Sequence, residues 1–166
     1  MKKAHEIFAR ISAHQVEGMM LHADMADYFA FLGAEKMAEM HAERFCKEAK
    51  AMQKTHEYFI MHYGEILRPE AVEAHSRIPA AWDNVRRSEV ESEARHKAIR
   101  EGVQMWHAWE HKTKELYQKA YMEMQAAGEI ASAMWLSKII CAADEEATRA
   151  ESLRIQMDMR GGDDYG

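Results

Sequence analysis

A glutamate stands in the middle of an apolar stripe. His96, Val103, Glu110, Tyr117 and Met124 recur every seven residues, the spacing that returns to one helix face, with Ile99 and Trp106 beside them. Glu146 holds the same kind of position among Trp135, Ile139, Ala142, Ala143, Ala150, Leu153 and Met157, whereas Asp144 and Glu145 turn outward. His56 is centred among Phe45, Ala49, Met52, Phe59, Ile60 and Tyr63, with Gln53 about one turn before it. On a fourth stripe of Ile7, Ile11, Leu21, Met25, Tyr28 and Leu32, His14 falls near the middle and Glu17 near the edge. A carboxylate alone in an apolar core costs several kcal/mol, so it persists only if paired, protonated or bound to a cation. Carboxylates and imidazoles converging from four helices would make a hard N/O pocket suited to Fe, Mn or Zn.

The elements that must position these residues are helices. Two prolines and eight glycines in 166 residues, with abundant Ala, Met, Glu and Lys, leave too few β-branched residues for a sheet. Four periodic segments emerge, at about 4–32, 35–63, a third ending near 127, and 130–159, punctuated by Gly33, Gly64 and Gly128. Between the second and third lies GEILRPEAVEAHSRIPAAWDN, which holds both prolines and is long enough to run the length of a bundle. The expected fold is all-α: an up-down-down-up four-helix bundle over residues 1–160, with the second and third helices parallel and a disordered tail over 161–166. Glu110 and Glu146 each lie 18 residues from Gly128, which brings them to one height across that hairpin. Glu17 and His56 lie 16 and 23 residues from Gly33, a looser match that needs a broader turn.

Composition narrows the function. A formal charge of −6 with 48% hydrophobic residues argues against a basic nucleic-acid-binding face and against a disordered acidic chain. Cys46 and Cys141, 95 residues apart, form neither a zinc pattern nor a disulfide framework. No apolar run of membrane-spanning length occurs, so a soluble, cytoplasmic protein with no membrane or nucleic-acid partner is expected. The 14 methionines fit core packing better than soft-metal binding.

The stretch WHAWEHKTKELYQKAYMEMQAAGEIASAMWLSKIICAADEEATRAESL resembles the third and fourth helices of ferritins, with ungapped spacing from Glu110 to Glu146. ISAHQVEGMMLHADMADYF and FCKEAKAMQKTH are similar, more weakly, to the first two. The resemblance implies a ferritin-like superfamily bundle of the ferritin/rubrerythrin type that handles iron or manganese, or oxidises Fe(II), at a site inside it. It implies Glu17 as a terminal ligand, His56 as the histidine of the second helix, Glu110 as a bridging or terminal carboxylate and Glu146 as the inward acid of the fourth. The family's Glu-x-x-His reads Gln53-Lys54-Thr55-His56 here, Asp24 stands where ferritins carry a tyrosine, and Ala143 where they carry Gln or Glu. Gln53 offers a neutral amide oxygen in place of a bridging carboxylate, so one ion, Fe or alternatively Mn or Zn, is expected rather than two. His107, three residues before Glu110, is either a further ligand or a hydrogen-bonded histidine at the core boundary.

A second reading stands beside the first: a ferritin-like bundle without metal chemistry, acting as an interaction or assembly module whose buried Glu and His form a hydrogen-bonded network. Trp109 and Met105 fall off the stripe of their helix and suggest a dimer surface, and with no fifth helix a dimer is expected rather than a 24-subunit shell.

Overall fold

The computed structural model describes residues 2–160; the tail expected to be disordered lies outside them. Four long helices, α1 (Lys2–Phe31), α2 (Glu35–Tyr63), α3 (Ser92–Ala126) and α4 (Ile130–Arg160), account for most of the chain, with two short 3-10 turns at Ala80–Trp82 and Arg87–Glu89. The hairpins turn at Gly33 and Gly128, both at φ +77, a left-handed backbone that costs glycine nothing.

Cross-helix contacts give the directions. Phe8 meets Phe59 near one end and His22 meets His41 towards the other, so α1 and α2 are antiparallel. Arg10 bonds Glu123 while His14 bonds Thr113, making α1 and α3 antiparallel, so α2 and α3 run parallel. The crossover between them is fastened to α1: Glu70 N–H donates to Ala9 O at 3.2 Å, Arg77 N–H donates to the Asp24 carboxylate at 2.7 Å, and Trp82 packs on Tyr28 and Phe31. Asp24 thus holds the crossover in place.

Two apolar cores fill the bundle. One gathers Ile7, Phe8, Ile11, Phe59, Met124 and Leu136, and the other Leu21, Met25, Phe29, Ile99, Val103 and Met157. Trp109 belongs to the second core. It is 9% exposed and stacks on His14 at 4.3 Å, which overturns its expected place on a dimer surface. The reason is that the indole is covered by α1, lying flat on the His14 ring with its Cζ2 3.5 Å from where a Cβ on Gly18 would be.

Gly102 interrupts α3 for a related reason. A Cβ there would lie 2.8 Å from Cζ of Phe29, a fully buried ring stacked on His41. Gly102→Ala should therefore destabilise by about 1–3 kcal/mol from overpacking, outweighing a gain of about 1 kcal/mol in helix propensity. Urea unfolding checks this; a stabilised variant would show that Phe29 yields freely.

Candidate functional site

Between the two apolar cores the bundle carries a polar layer. α3 contributes Glu110, 1% exposed, α4 contributes Glu146, and α2 contributes Arg44 and Glu48. Arg44 is the hub. Its Nη2 donates to Glu48 Oε1 at 3.0 Å and to Glu110 Oε1 at 3.2 Å, and its Nε lies 3.5 Å from Glu146 Oε2 without hydrogen-bond geometry. Trp106 Nε1–H donates to the same Glu110 oxygen at 3.0 Å. A cavity of about 230 Å³ adjoins the group, lined by Gln15, Arg44, Glu48, Glu110, Tyr117 and Glu146 among others.

The electrostatics follow from burial. Removal from water pushes the Glu48 carboxyl up to about 7, although Arg44 pulls it down, because Glu110 and Glu146 repel its charge. Glu110 is likewise raised by burial against the pull of Arg44 and the Trp106 hydrogen bond. Burial works against the Arg44 charge, but Glu110, Glu48 and Glu146 overcome it and hold the guanidinium above its ordinary value. A permanent cation is thus built into the layer.

Two histidines flank this group. His22 and His41 share an Nδ1···Nδ1 hydrogen bond of 2.9 Å, and His22 Nε2 lies 3.7 Å from Glu110 Oε1. Burial and the nearby Arg44 depress His22 to about 2 and His41 to about 3, so both rings are neutral. His14, hydrogen-bonded to Thr113 at 2.6 Å, is lowered to about 3 by burial and by Lys112 and Arg77.

Of the residues singled out from the sequence, the structure brings Glu110 and Glu146 to one guanidinium. It does not bring the others there. Glu17 turns to the crossover, 3.8 Å from Arg77 Nη2. His56 hydrogen-bonds Ser12 at 2.6 Å, and Gln53 is exposed. His107 faces Glu151 of α4 rather than Glu110. The expectation that His56 sits beside Glu110 is corrected by the phase of α2. Its buried face is Met37, His41, Arg44, Thr55 and Phe59, about one residue round from the stripe with most apolar residues, and Phe45 and Ile60 are left 37% and 46% exposed. Counting back from Phe59 in steps of three and four, which passes through Thr55, Glu48, Arg44 and His41, was the signal for that face.

The arrangement fails as a metal centre on its donors. The guanidinium occupies the position a cation would take among the carboxylates, and α1 brings to the adjoining cavity the neutral amide of Gln15 and, with its Cβ position 3.5 Å from Glu48 Oε2, Gly18, in place of a carboxylate. Among the described residues, three or more carboxylate, imidazole or thiol ligand atoms come within 4.8 Å of one another at His107, His111 and Glu151, not at Glu110.

No family profile and no curated protein sequence matches the chain. Solved structures do. An open-pore ferritin from the hyperthermophilic archaeon Archaeoglobus fulgidus superposes with a TM-score of 0.78 at 17% identity, covering 98% of this chain and 90% of that one. The apo-ferritin of Pseudo-nitzschia multiseries gives 0.72 at 12% identity, covering 97% and 91%. A PmFTN variant soaked in iron gives 0.78 at 12%, with the same coverage. The four helices, the parallel α2 and α3 and the crossover between them are those of the ferritin-like four-helix bundle, and that is the fold of this chain.

Proposed function

We propose that this is a ferritin-fold bundle whose interior is structural rather than oxidative, a subunit for assembly in which Arg44 stands where an ion would be held. The observation that carries the reading is the guanidinium among Glu48, Glu110 and Glu146. It offsets with a fixed charge part of the desolvation cost of the buried carboxylates, so no iron is needed to accommodate them. Binding of one Fe or Mn ion inside the bundle, with Fe(II) oxidation there, is the competing reading; it rests on likeness of fold to ferritins.

Self-association is supported by apolar side chains left in water where α2 ends and α4 begins: Met61 at 84%, Ile66 at 70% and Met134 at 66% exposed. A homo-oligomer, with a dimer as its smallest form, follows. The free, exposed Cys46 and Cys141 suit a reducing, cytoplasmic setting, and no helix among the described residues is long and apolar enough to cross a membrane.

The test is Fe(II) oxidation under air, followed optically for the native chain and Glu110→Gln. The expected result is that neither exceeds the protein-free rate; native activity that Glu110→Gln abolishes would restore the oxidative reading. Sedimentation should show an assembly, which Met61→Lys together with Met134→Lys weakens.

A further inference from the structure

A different part of the molecule carries ligand chemistry that the polar layer lacks. On the solvent side of the groove between α3 and α4, His107 and His111 lie one helical turn apart with ring centroids 4.5 Å from each other. Glu151 of α4 meets them at the same height, and one donor atom from each of the three lies within 4.8 Å of the other two.

From this convergence we infer that His107, His111 and Glu151 form a binding site for one divalent transition ion of the Zn(II) class. Two imidazoles and one carboxylate are borderline-soft and hard donors suited to Zn, Co, Ni or Fe(II), and unsuited to Ca or Mg. Around a tetrahedral ion about 2.1 Å from each donor, the donors lie about 3.4 Å apart, so closing the site requires side-chain movement on the order of 1 Å. Three protein ligands leave room for water at the remaining positions, the form of an open site.

Two further features fit. His107 Nε2 is shielded from water and faces Glu151 Oε2, yet makes no hydrogen bond of acceptable geometry. The ring nitrogen and the carboxylate are in direct contact, and an ion binding both would part them and take the place of that contact. Arg154 supplies the support a ligating carboxylate usually has: its Nη2 donates to Glu151 Oε1 at 2.8 Å and its Nε to Oε2 at 3.1 Å, which fixes the carboxylate plane. The Arg154 charge opposes a cation, but Asp158 Oδ2 lies 3.1 Å from Arg154 Nη1 and offsets it, and Lys114 is engaged with Asp144 at 2.6 Å.

The site stands apart from Arg44 and its carboxylates, so it holds or fails independently of the proposed role of the bundle interior. The test is titration of the full chain with Zn(II) against a chromophoric chelator, with Co(II) absorption as a second readout. The native chain should bind one equivalent, with a Co(II) band in the visible. His107→Ala and His111→Ala should each weaken binding by at least about tenfold, and His75→Ala, a substitution of an exposed histidine elsewhere, should leave it unchanged. Because His111 is exposed, its variant should retain the native helical circular dichroism. No stoichiometric binding by the native chain, or binding undiminished in His107→Ala and His111→Ala, would overturn the site.

Discussion

Arg44→Ala should lower stability at pH 8 by about 3–5 kcal/mol, the cost of leaving a buried charge without its partner. For a chain of this length that is a fall in Tm of about 10–15 °C. The cause is specific. Without the guanidinium, Glu48 and Glu110 lose their hydrogen bonds to Nη2, and Glu146 loses the cation 3.5 Å from its Oε2. Two further measurements separate charge from packing. Arg44→Met combined with Glu48→Gln, Glu110→Gln and Glu146→Gln removes the charges on both sides and should recover much of the loss. Mn(II) should raise the Tm of Arg44→Ala, in which the carboxylates are freed, by more than it raises that of a chain carrying both Arg44→Ala and Glu110→Gln. A loss below 1 kcal/mol for Arg44→Ala would mean that the layer is hydrated enough to need no internal cation, and would remove the basis of the proposed function.

The second large effect is acid instability. His14, His22 and His41 stay neutral in the folded chain down to about 3, 2 and 3, whereas each takes up a proton near 6.5 when unfolded. Their contribution is fully present above pH 6.5 and is lost as pH falls below it. Glu48 acts in the opposite sense: its folded value of about 7 lies above the ordinary 4.5, so its contribution is greatest below pH 4.5 and is lost as pH rises towards 7. Between pH 6.5 and 4.5 the unfolded chain therefore binds up to about two protons more than the folded one, three on histidines less one on Glu48 and less what the raised Glu110 retains. At about 1.4 kcal/mol per proton per pH unit, stability should fall by about 3 kcal/mol per unit over that window. Over the two units of that window the loss is about 6 kcal/mol, the size of the whole stability of a marginal domain. Urea midpoints at pH 7.5, 6.5 and 5.5 measure the slope. His41→Phe, which keeps an aromatic ring against Phe29 and Trp106, should roughly halve it. Midpoints independent of pH across this range would show that the three rings are not held neutral.

Helices, hairpins and the crossover were legible because each is a local property. Glycines mark the turns, prolines the link, and a seven-residue repeat of apolar side chains marks the faces of α1, α3 and α4. Glu110 was visible for the same reason: a charge inside an apolar repeat contradicts its surroundings and asks for a partner. The identity of that partner was not legible. On α2 the buried face is itself polar, carrying His41, Arg44, Glu48 and Thr55, so the hydrophobic period pointed about one residue aside and chose His56. Periodicity gives the spacing of a face, whereas its phase is set by what the neighbouring helices need to bury. Only packing α2 against α3 and α4 put Arg44 between Glu110 and Glu146, and only the height of α4 against α3 put Glu151 beside His107 and His111. Both results depend on distances between residues far apart in the chain, because the free energy of a charge is decided by the charges and solvent around it in space rather than by its sequence neighbours.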